Sequence, residues 1–231
     1  MALLGALRDL TLVLVAVLVS LLFMAWKIYF RGTGTDTDGW WERELRELRE
    51  QYPPVDAPGW RQVLVLGLDG AGKSSVLHYI CSQTARDHIA PTYDFNSAQL
   101  CVGELELELL EVGGSQNLRA YWPHYLSHAH VLVFVVDSAD RSRLLTARQE
   151  LHTLLRAEPD QTRLPLVVLA NKQDKSGALS TAELREELAL HMLSEQRELF
   201  LLPTSATWAS LSTDTSVLRV KSLLVTLLSQ P

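Results

Sequence analysis

The glycine-rich segment at residues 67–74, GLDGAGKS, constrains this chain more than any other part of its sequence. It matches the pattern Gly-x4-Gly-Lys-Ser of a phosphate-binding loop, or P-loop. The aliphatic residues 63–66 before it and the residues 74–82 after it predict the strand and the helix that flank such a loop. Backbone N–H groups and the positive end of the helix dipole can there surround phosphate oxygens. The sequence therefore predicts an α/β fold with a nucleotide site.

Two side chains of this loop carry chemistry that a purely structural turn does not need. Lys73 is placed to reach the β- and γ-phosphate oxygens of a nucleotide, and Ser74 is placed to ligate Mg²⁺. Lys73 is also a candidate catalytic residue. The loop by itself does not select the base of the nucleotide.

The segment NKQD at residues 171–174 predicts which base is bound. It follows a predicted buried strand at residues 166–169. The Asp174 carboxylate can accept hydrogen bonds from N1–H and from the exocyclic amine of guanine, which adenine does not offer. A site that bonds such groups strongly rejects an analogue that lacks them. The segment therefore favours a guanine nucleotide and disfavours an ATP-dependent P-loop kinase.

The neighbours of Asp174 have supporting roles in this prediction. Asn171 is expected to brace the loop, and the methylenes of Lys172 are expected to cover the base. Ser205 and Ala206 follow the last predicted strand and can offer a backbone N–H to guanine O6. The order of the three motifs along the chain is the order that a guanine site requires.

Apolar runs alternate with amphipathic runs through residues 60–229. Four runs are short and aliphatic, as strands buried on both faces of a parallel sheet should be: residues 63–66, 131–136, 166–169 and 199–202. An antiparallel hairpin with one wet face is predicted at residues 97–101 and 104–109. Helices are predicted at residues 74–82, 141–156, 181–190 and 217–228, the third of which begins with a capping box of Ser180 and Glu183. The fold class is therefore α/β, with a mostly parallel six-stranded sheet and helices on both of its faces.

A separate part of the chain predicts a membrane anchor. Residues 10–26 contain no charged side chain and only two polar ones. As a helix they are about 26 Å long, and residues 28–30, beyond a Lys27 that can snorkel, extend the span to about 30 Å of hydrocarbon. We therefore predict a transmembrane helix within residues 1–31 that contacts the lipid bilayer through residues 10–30.

The flanks of this span predict its orientation. Lys27 and Arg31 follow the span closely, whereas Arg8 is the one basic side chain before it, so the positive-inside rule places the rest of the chain in the cytosol. A cleaved signal peptide is disfavoured because no small-x-small site follows the apolar run, and a buried core helix is the other alternative. The short span favours the endoplasmic reticulum or another thin intracellular membrane.

Residues 32–59 are predicted to link the anchor to the nucleotide-binding domain, which is expected to occupy residues 60–231. Residues 32–39 are rich in Gly, Thr and Asp, and residues 40–52 place apolar side chains on one stripe of a short amphipathic helix. Glu and Arg alternate on its polar face, which favours a solvated spacer or a helix packed on the domain over one at the membrane interface.

Charge and cysteine content limit the partners and the compartment. The net charge of −6 disfavours nucleic acid as a partner, since binding to phosphate backbones needs a basic surface. Two cysteines, Cys81 and Cys101, are too few for a secreted disulfide scaffold. We expect two free, buried thiols in a reducing compartment.

Four motifs together resemble the ADP-ribosylation-factor-like (Arf-like) small GTPases over residues 60–229. They are GLDxAGK at residues 67–73, PTxxFN at residues 91–96, VGG at residues 112–114 and FVVDSADR at residues 134–141. The resemblance implies that GTP or GDP is bound with Mg²⁺. It also implies that the partners are effector proteins, an exchange factor and an activating protein.

The same resemblance implies roles for two switch segments. In switch I, Thr92 is expected to contact Mg²⁺ and the γ-phosphate. Residues 111–116 are expected to form switch II, and the hairpin between the two is expected to slide when the nucleotide changes. Family members usually attach to membranes by a releasable myristoylated helix, so a transmembrane anchor implies switching in place.

Three residues depart from the family pattern and bear on catalysis. Glu111 occupies the position of an Asp that holds the Mg²⁺ shell through water, and Asp94 replaces a Gly in switch I. Ser115 stands where a water-orienting Gln is expected, with Gln116 directly after it. We expect impaired GTP hydrolysis; the alternative is ordinary slow hydrolysis that a partner accelerates.

The sequence thus yields a defined set of candidate site residues. The residues predicted to bind nucleotide are Asp69, Gly70, Ala71, Gly72, Lys73, Ser74, Ser75, Thr92, Gly114, Asn171, Lys172, Asp174, Ser205 and Ala206. Those predicted to bind the metal are Ser74, Thr92 and Glu111, and the candidate catalytic residues are Ser115, Gln116 and Lys73. His124, His128 and His130 are predicted to lie on a packed or solvated helix face and not to bind metal.

The leading function from sequence is a membrane-anchored GTP-binding switch with weak GTPase activity. One alternative is a non-hydrolysing, GTP-loaded membrane scaffold. Another is a subunit like the β subunit of the signal-recognition-particle receptor, which also combines an N-terminal anchor with an Arf-like domain. That subunit carries a Pro-Gly pair in switch II where this chain has Gly113-Gly114, which disfavours it.

Overall fold

The aliphatic runs of the sequence form a single six-stranded sheet in the computed structural model of this chain. The structure describes residues 60–82, 95–156, 163–206 and 211–229. All of these residues belong to one compact unit, Ala57–Pro231. The predicted anchor within residues 1–31 and the predicted linker at residues 32–59 lie outside the described part. Among the described helices, none is both long enough and apolar enough to cross a bilayer.

The described elements alternate between strands and helices along the chain. In order, they are β1 (Trp60–Leu66), α1 (Lys73–Ser82), β2 (Phe95–Val102), β3 (Leu105–Val112), α2 (Gln116–Arg119), α3 (Trp122–Leu126), β4 (Val131–Asp137), α4 (Leu144–Arg156), β5 (Leu166–Asn171), α5 (Thr181–Glu187), α6 (His191–Ser194), β6 (Leu199–Pro203) and α7 (Leu211–Leu228). A 3₁₀ turn at Arg141–Arg143 precedes α4.

The strand order places the ends of five parallel strands at one edge of the sheet. The order is β2-β3-β1-β4-β5-β6, in which β2 and β3 pair antiparallel and every other neighbouring pair is parallel. The predicted mostly parallel six-stranded sheet is confirmed. Since ligands of such sheets bind beyond the carboxyl ends of the strands, this edge is where the site is expected.

Each face of the sheet packs against helices, as predicted. On one face, Leu64, Leu66 and Phe134 belong to a core that includes side chains of α3, α4 and α5. Trp122 of α3 is fully buried there, with its ring 6.1 Å from that of Phe134 in a T-shaped arrangement. The other face packs against α1 and α7, where Val65 lies in the second core.

Several element boundaries differ from the sequence predictions, and two of these differences have a clear physical reason. The second hairpin strand continues to Val112 instead of ending at residue 109, because Glu111 and Val112 remain buried after the alternating pattern stops. The helix predicted at residues 181–190 begins with the predicted capping box but ends at Glu187. Ala189 has a positive φ of 48°, a conformation that no α-helix continues.

The cysteine prediction was wrong for Cys101 and overstated for Cys81. Cys101 is exposed, because it lies on the edge strand β2, on the hairpin face that also carries Glu106. Cys81 is half-buried on α1. Both thiols are free.

A histidine completes the pairing at the amino-terminal ends of β1 and β4. The Nδ1 atom of His130 accepts a hydrogen bond from the Gln62 N–H at 3.1 Å, and the His130 N–H donates to the Gln62 carbonyl at 2.9 Å. Burial, helped by the neighbouring Arg61 cation, lowers the pKa of His130 below its ordinary value. The neutral imidazole is therefore the form that the folded chain favours.

This contact predicts a pH-dependent loss of stability. Because the folded chain binds the His130 proton less tightly than the unfolded chain, the stabilisation is present above about pH 6.5 and is lost as the pH falls below that value. We expect His130→Gln to reduce the change in urea midpoint between about pH 7.5 and pH 5.5. His124→Gln, at an exposed histidine of α3, should leave that change as in the parent. Equal pH dependence in the parent and His130→Gln would contradict this role.

Candidate nucleotide-binding site

The P-loop and the NKQD segment at residues 171–174 are held together by a buried side-chain amide. The side chain of Asn171, at the end of β5, is 2% exposed, and its Nδ2 donates to the Ala71 carbonyl at 2.8 Å. Gly72 has a φ of 94°, and a Cβ atom on it would lie 2.4 Å from the same Nδ2. Only glycine fits this close approach. The P-loop after β1 and the loop after β5 are thus one structural unit. The loop after β5, which contains the NKQD segment at residues 171–174, is called the guanine loop below.

Lys172 links the same two loops a second time. It adopts a positive φ of 64°, and its Nζ donates to the Gly70 carbonyl and to the Asp137 carboxylate, each at 2.6 Å. Asp137 is the last residue of β4, the strand between β1 and β5. The Lys172 side chain therefore spans the gap between the guanine loop and the P-loop.

The carboxylate of Asp174, which is predicted to bind guanine, is held by Ser205 in the loop after β6. Ser205 Oγ donates to Asp174 Oδ1 at 2.5 Å, while the Asp174 residue itself is exposed. The loop after β6 is fixed by Thr204, whose Oγ1 donates to Asn171 Oδ1 at 3.2 Å. A carboxylate held by one oxygen and open to solvent can accept bonds from a ligand with the other. This geometry suits the predicted recognition of guanine.

Lys73 and Ser74 begin α1 at the phosphate end of the site. Lys73 is 5% exposed, and its Nζ donates to the Leu68 carbonyl at 3.2 Å. Burial lowers the pKa of Lys73 below its ordinary value, although the carboxylates of Glu111 and Asp69 act in the opposite direction. Because Lys73 is buried, a phosphate anion stabilises its ammonium group more strongly than the same anion would stabilise an ammonium group in water.

Two of the three residues predicted to bind the metal, Ser74 and Glu111, are in contact, whereas Thr92 lies outside the described residues. Ser74 Oγ donates to Glu111 Oε1 at 2.7 Å, and Asn96 Nδ2 contacts Glu111 Oε2 at 3.4 Å. Hydroxyl and carboxylate oxygens are the ligands that Mg²⁺ prefers, usually together with substrate phosphate and water. The donor set therefore fits Mg²⁺. The described residues contain no group of three or more His, Cys, Asp or Glu side chains able to hold a metal unaided.

Switch II packs directly on the P-loop at Gly114. A Cβ atom there would lie 2.3 Å from the Gly67 carbonyl oxygen and 2.4 Å from the Asp69 nitrogen. The Asp69 N–H donates to the Gly114 carbonyl at 3.3 Å. Ser115 caps the start of α2 without a side-chain hydrogen bond to the helix, and both Ser115 and Gln116 are exposed. The two candidate water-positioning residues thus lie at the surface beside this contact.

Most of the predicted site residues lie at the carboxyl edge of the sheet. Thr92 and Asp94 of switch I lie outside the described residues, and Ser75 is half-buried on α1. Two residues that the structure adds to the site, Asp137 and Thr204, end or follow strands of the same edge. Their position next to strand ends could have indicated them. Arg119, which also contacts this region, carries no such signal.

The buried Asn171 amide predicts a measurable loss of stability. Removing it in Asn171→Ala leaves the Ala71 carbonyl and the Thr204 hydroxyl without their partner, so the free energy of unfolding should fall by about 1–3 kcal/mol. The affinity for GTP should fall as well. Asn117→Ala, at an exposed position of α2, should change stability by less than about 0.5 kcal/mol. Denaturant unfolding measures both, and equal stability of the two variants would exclude the bracing role.

Comparisons with known proteins agree with this architecture. The family model of the ADP-ribosylation factor family matches residues 59–216. Mouse (Mus musculus) ADP-ribosylation factor-like protein 10 is 45% identical over 205 residues, covering 82% of this chain and 83% of that protein. Human (Homo sapiens) ADP-ribosylation factor-like protein 9 is 44% identical over 165 residues, covering 69% of this chain and 87% of that protein.

Solved structures show the same fold. The Arl6 BBS3 small GTPase from Trypanosoma brucei with bound nucleotide analogue GppNp has a TM-score of 0.60 and 26% identity, covering 71% of this chain and 98% of that one. A chain of the mammalian SRP receptor has a TM-score of 0.61, with 72% and 100% coverage. At 23% identity, the latter shows the fold alone. From the family match and its relatives, this chain belongs to the ADP-ribosylation factor family of small GTP-binding proteins.

Proposed function

We propose that this chain is a membrane-anchored GTP switch that binds GTP and GDP with Mg²⁺ at the site above, hydrolyses GTP slowly and presents switch I and switch II to effector proteins. The observation that carries the proposal is the hydrogen bond from Asn171 to the Ala71 carbonyl. This hydrogen bond holds the P-loop and the guanine loop together as one unit. A site made of both loops is suited to a guanine nucleotide.

Each part of the nucleotide meets a different part of the site. The N–H groups of the P-loop and the buried Lys73 cation bind phosphate oxygens. The Asp174 carboxylate, held by Ser205, binds the edge of guanine, and the aliphatic part of Lys172 covers its face. Ser74, with Glu111 in support, would hold Mg²⁺, which would supply positive charge beside the phosphates.

The contact between Ser74 and Glu111 makes the site sensitive to the state of the nucleotide. Glu111 begins switch II and lies at the end of β3, so a change at the metal is transmitted to the hairpin of β2 and β3. Gly114 packs on the P-loop, so a γ-phosphate bound by this loop is expected to change the position of Gly114. The surface that changes is the one presented to effectors, and an exchange factor and an activating protein are the expected regulators.

Slow hydrolysis follows from the side chain at position 115. Phosphoryl transfer depends almost wholly on positioning and charge stabilisation, so the residue that orients the attacking water matters greatly. The hydroxyl of Ser115 is short, exposed and without a hydrogen bond to the helix that it caps. This observation also favours the second candidate function, a GTP-loaded membrane scaffold that does not hydrolyse its nucleotide.

Guanine recognition predicts a change of base specificity in Asp174→Asn. An amide can donate a hydrogen bond to the carbonyl oxygen that xanthine carries in place of the guanine amine. GTP affinity should therefore fall at least about tenfold, or about 1.4 kcal/mol, while the affinity for xanthosine triphosphate rises. Glu187→Gln removes an exposed carboxylate of α5 and should change neither affinity. Comparable GTP affinity in Asp174→Asn and the parent would remove Asp174 from the base-reading role.

The hydrolysis hypothesis predicts a gain of activity in Ser115→Gln. We expect the parent to turn over GTP at or below roughly 10⁻⁴ s⁻¹ and the variant about tenfold faster, a barrier change of about 1.4 kcal/mol. GTP affinity should change little, since the residue acts on water more than on ground-state phosphate. Ser176→Gln, at an exposed turn, is the control in single-turnover assays.

The opposite outcome assigns the role to the neighbouring residue. If the parent hydrolyses GTP at a normal family rate, Ser115→Gln is without effect and Gln116→Ala abolishes the activity, then Gln116 positions the water. The protein would then be a conventional switch with a shifted catalytic residue.

The anchor proposal rests on the uncharged residues 10–26 and predicts a separation of binding from attachment. The full chain should stay with membranes after extraction at alkaline pH, with its GTPase domain exposed to protease on the cytosolic side. A chain that lacks residues 1–31 should be released and still bind GTP. A truncated chain that remains with membranes would contradict the anchor, and one that loses nucleotide would move the domain boundary.

A further inference from the structure

One arginine contacts three parts of the region around switch II. Arg119, in α2, is 12% exposed at its side chain. Its Nε donates to the Gly114 carbonyl at 2.9 Å, its Nη1 to Glu150 Oε1 of α4 at 3.2 Å, and its Nη2 contacts Asp69 Oδ1 at 3.4 Å. One planar guanidinium thus joins switch II, the P-loop and α4.

A second arginine contacts the P-loop and the loop after β4. Arg143 Nη1 donates to both the carbonyl oxygen and the Oδ2 of Asp69, each at 3.1 Å, and its Nε donates to Asp140 at 2.6 Å. Arg143 is 38% exposed at its side chain. Asp69 therefore lies between two cations, of which only Arg119 also contacts switch II.

We propose that Arg119 is a positioning residue that couples switch II to the P-loop and thereby sets the preference for GTP over GDP. The proposal rests on the GTP-binding function proposed above. The Gly114 carbonyl accepts two hydrogen bonds, from Arg119 Nε and from the Asp69 N–H. Both donors fix the plane of the peptide between Gly114 and Ser115, since a peptide unit is rigid. Switch II is thus held at a set position over the loop that binds the phosphates.

The electrostatics of the cluster support this coupling. Asp69 puts a negative charge on the loop that must bind a polyphosphate, and the two guanidinium groups offset it. Because Arg119 is mostly buried and lies between Asp69 and Glu150, its charge is screened less than that of Arg143. A lysine cannot replace it, since an ammonium group lacks the planar fork that reaches three acceptors in different directions.

The two arginines therefore predict different defects. Loss of Arg143 loosens the P-loop, which binds the phosphates that GTP and GDP share, so both affinities should fall together. Loss of Arg119 also frees Gly114, the contact with the P-loop that we propose responds to the third phosphate. The affinity for GTP should then fall more than the affinity for GDP.

The test measures the affinities of the full chain in detergent for GTP and for GDP, with Mg²⁺ present. We expect Arg119→Gln to lower the ratio of GTP affinity to GDP affinity about tenfold and Arg119→Lys not to restore it. Arg143→Gln should weaken both nucleotides with the ratio unchanged. Arg185→Gln, at an exposed position of α5, should have neither effect.

Three outcomes overturn the coupling, and all are distinct from failure of the proposed function. An unchanged ratio in Arg119→Gln, or a ratio shift of equal size in Arg143→Gln, excludes it. If Arg119→Gln does not fold, Glu150→Ala provides the test, because it removes one acceptor of Arg119 and leaves the arginine in place. It should shift the ratio in the same direction, and no shift overturns the coupling. A parent chain that binds neither nucleotide instead overturns the proposed function.

Discussion

The side-chain amide of Asn171 is the contact on which the rest of the site depends. It is buried, it donates to the Ala71 carbonyl at 2.8 Å and it accepts from the Thr204 hydroxyl at 3.2 Å. Its backbone carbonyl accepts from the Ser138 N–H at 2.9 Å. A buried polar group is stable only when its hydrogen bonds are made, so the loops after β1, β4, β5 and β6 are held in one arrangement. That arrangement places a phosphate loop beside a carboxylate that is open to a base.

The parallel sheet brings these distant loops together, and the hairpin adds the part that can respond to a ligand. β3 pairs with β1 so that Glu111 lies opposite Val65, close enough to accept from Ser74 at 2.7 Å. Glu111 would move away from Ser74 with any shift of the β3 register. Binding of a cation at Ser74 and the position of the hairpin are therefore linked through one carboxylate.

The sequence predicts the elements whose signals are local. The P-loop and the NKQD segment are short motifs, and the central strands are uninterrupted aliphatic runs, so each can be recognised without knowledge of the rest of the chain. Helix α2 was missed because it is four residues long, too short to show a helical period. The helix expected to carry three histidines ends at Leu126, so it contains His124 but neither His128 nor His130. The end of α5 was missed because nothing in the sequence indicates that Ala189 adopts a positive φ.

The contacts of the site are harder to predict than its motifs. Arg119 reaches Asp69 and Glu150 over sequence separations of 50 and 31 residues, and nothing in the local sequence pairs these charges. The exposure of Cys101 depends on β2 being an edge strand, which is a property of the sheet and not of the strand. Motifs thus predict which chemical groups the site contains, whereas the strand order decides which side chains lie close together in it.

The most direct test of the central claim is the identity of the nucleotide that the protein carries. The full chain, purified in detergent in the presence of Mg²⁺, would be denatured and the released nucleotide separated by chromatography. A site built from a P-loop and a guanine loop predicts GTP or GDP, close to one per chain, and faster release when Mg²⁺ is chelated. A bound adenine nucleotide, or a chain that carries no nucleotide and takes up none when GTP is added, would contradict it.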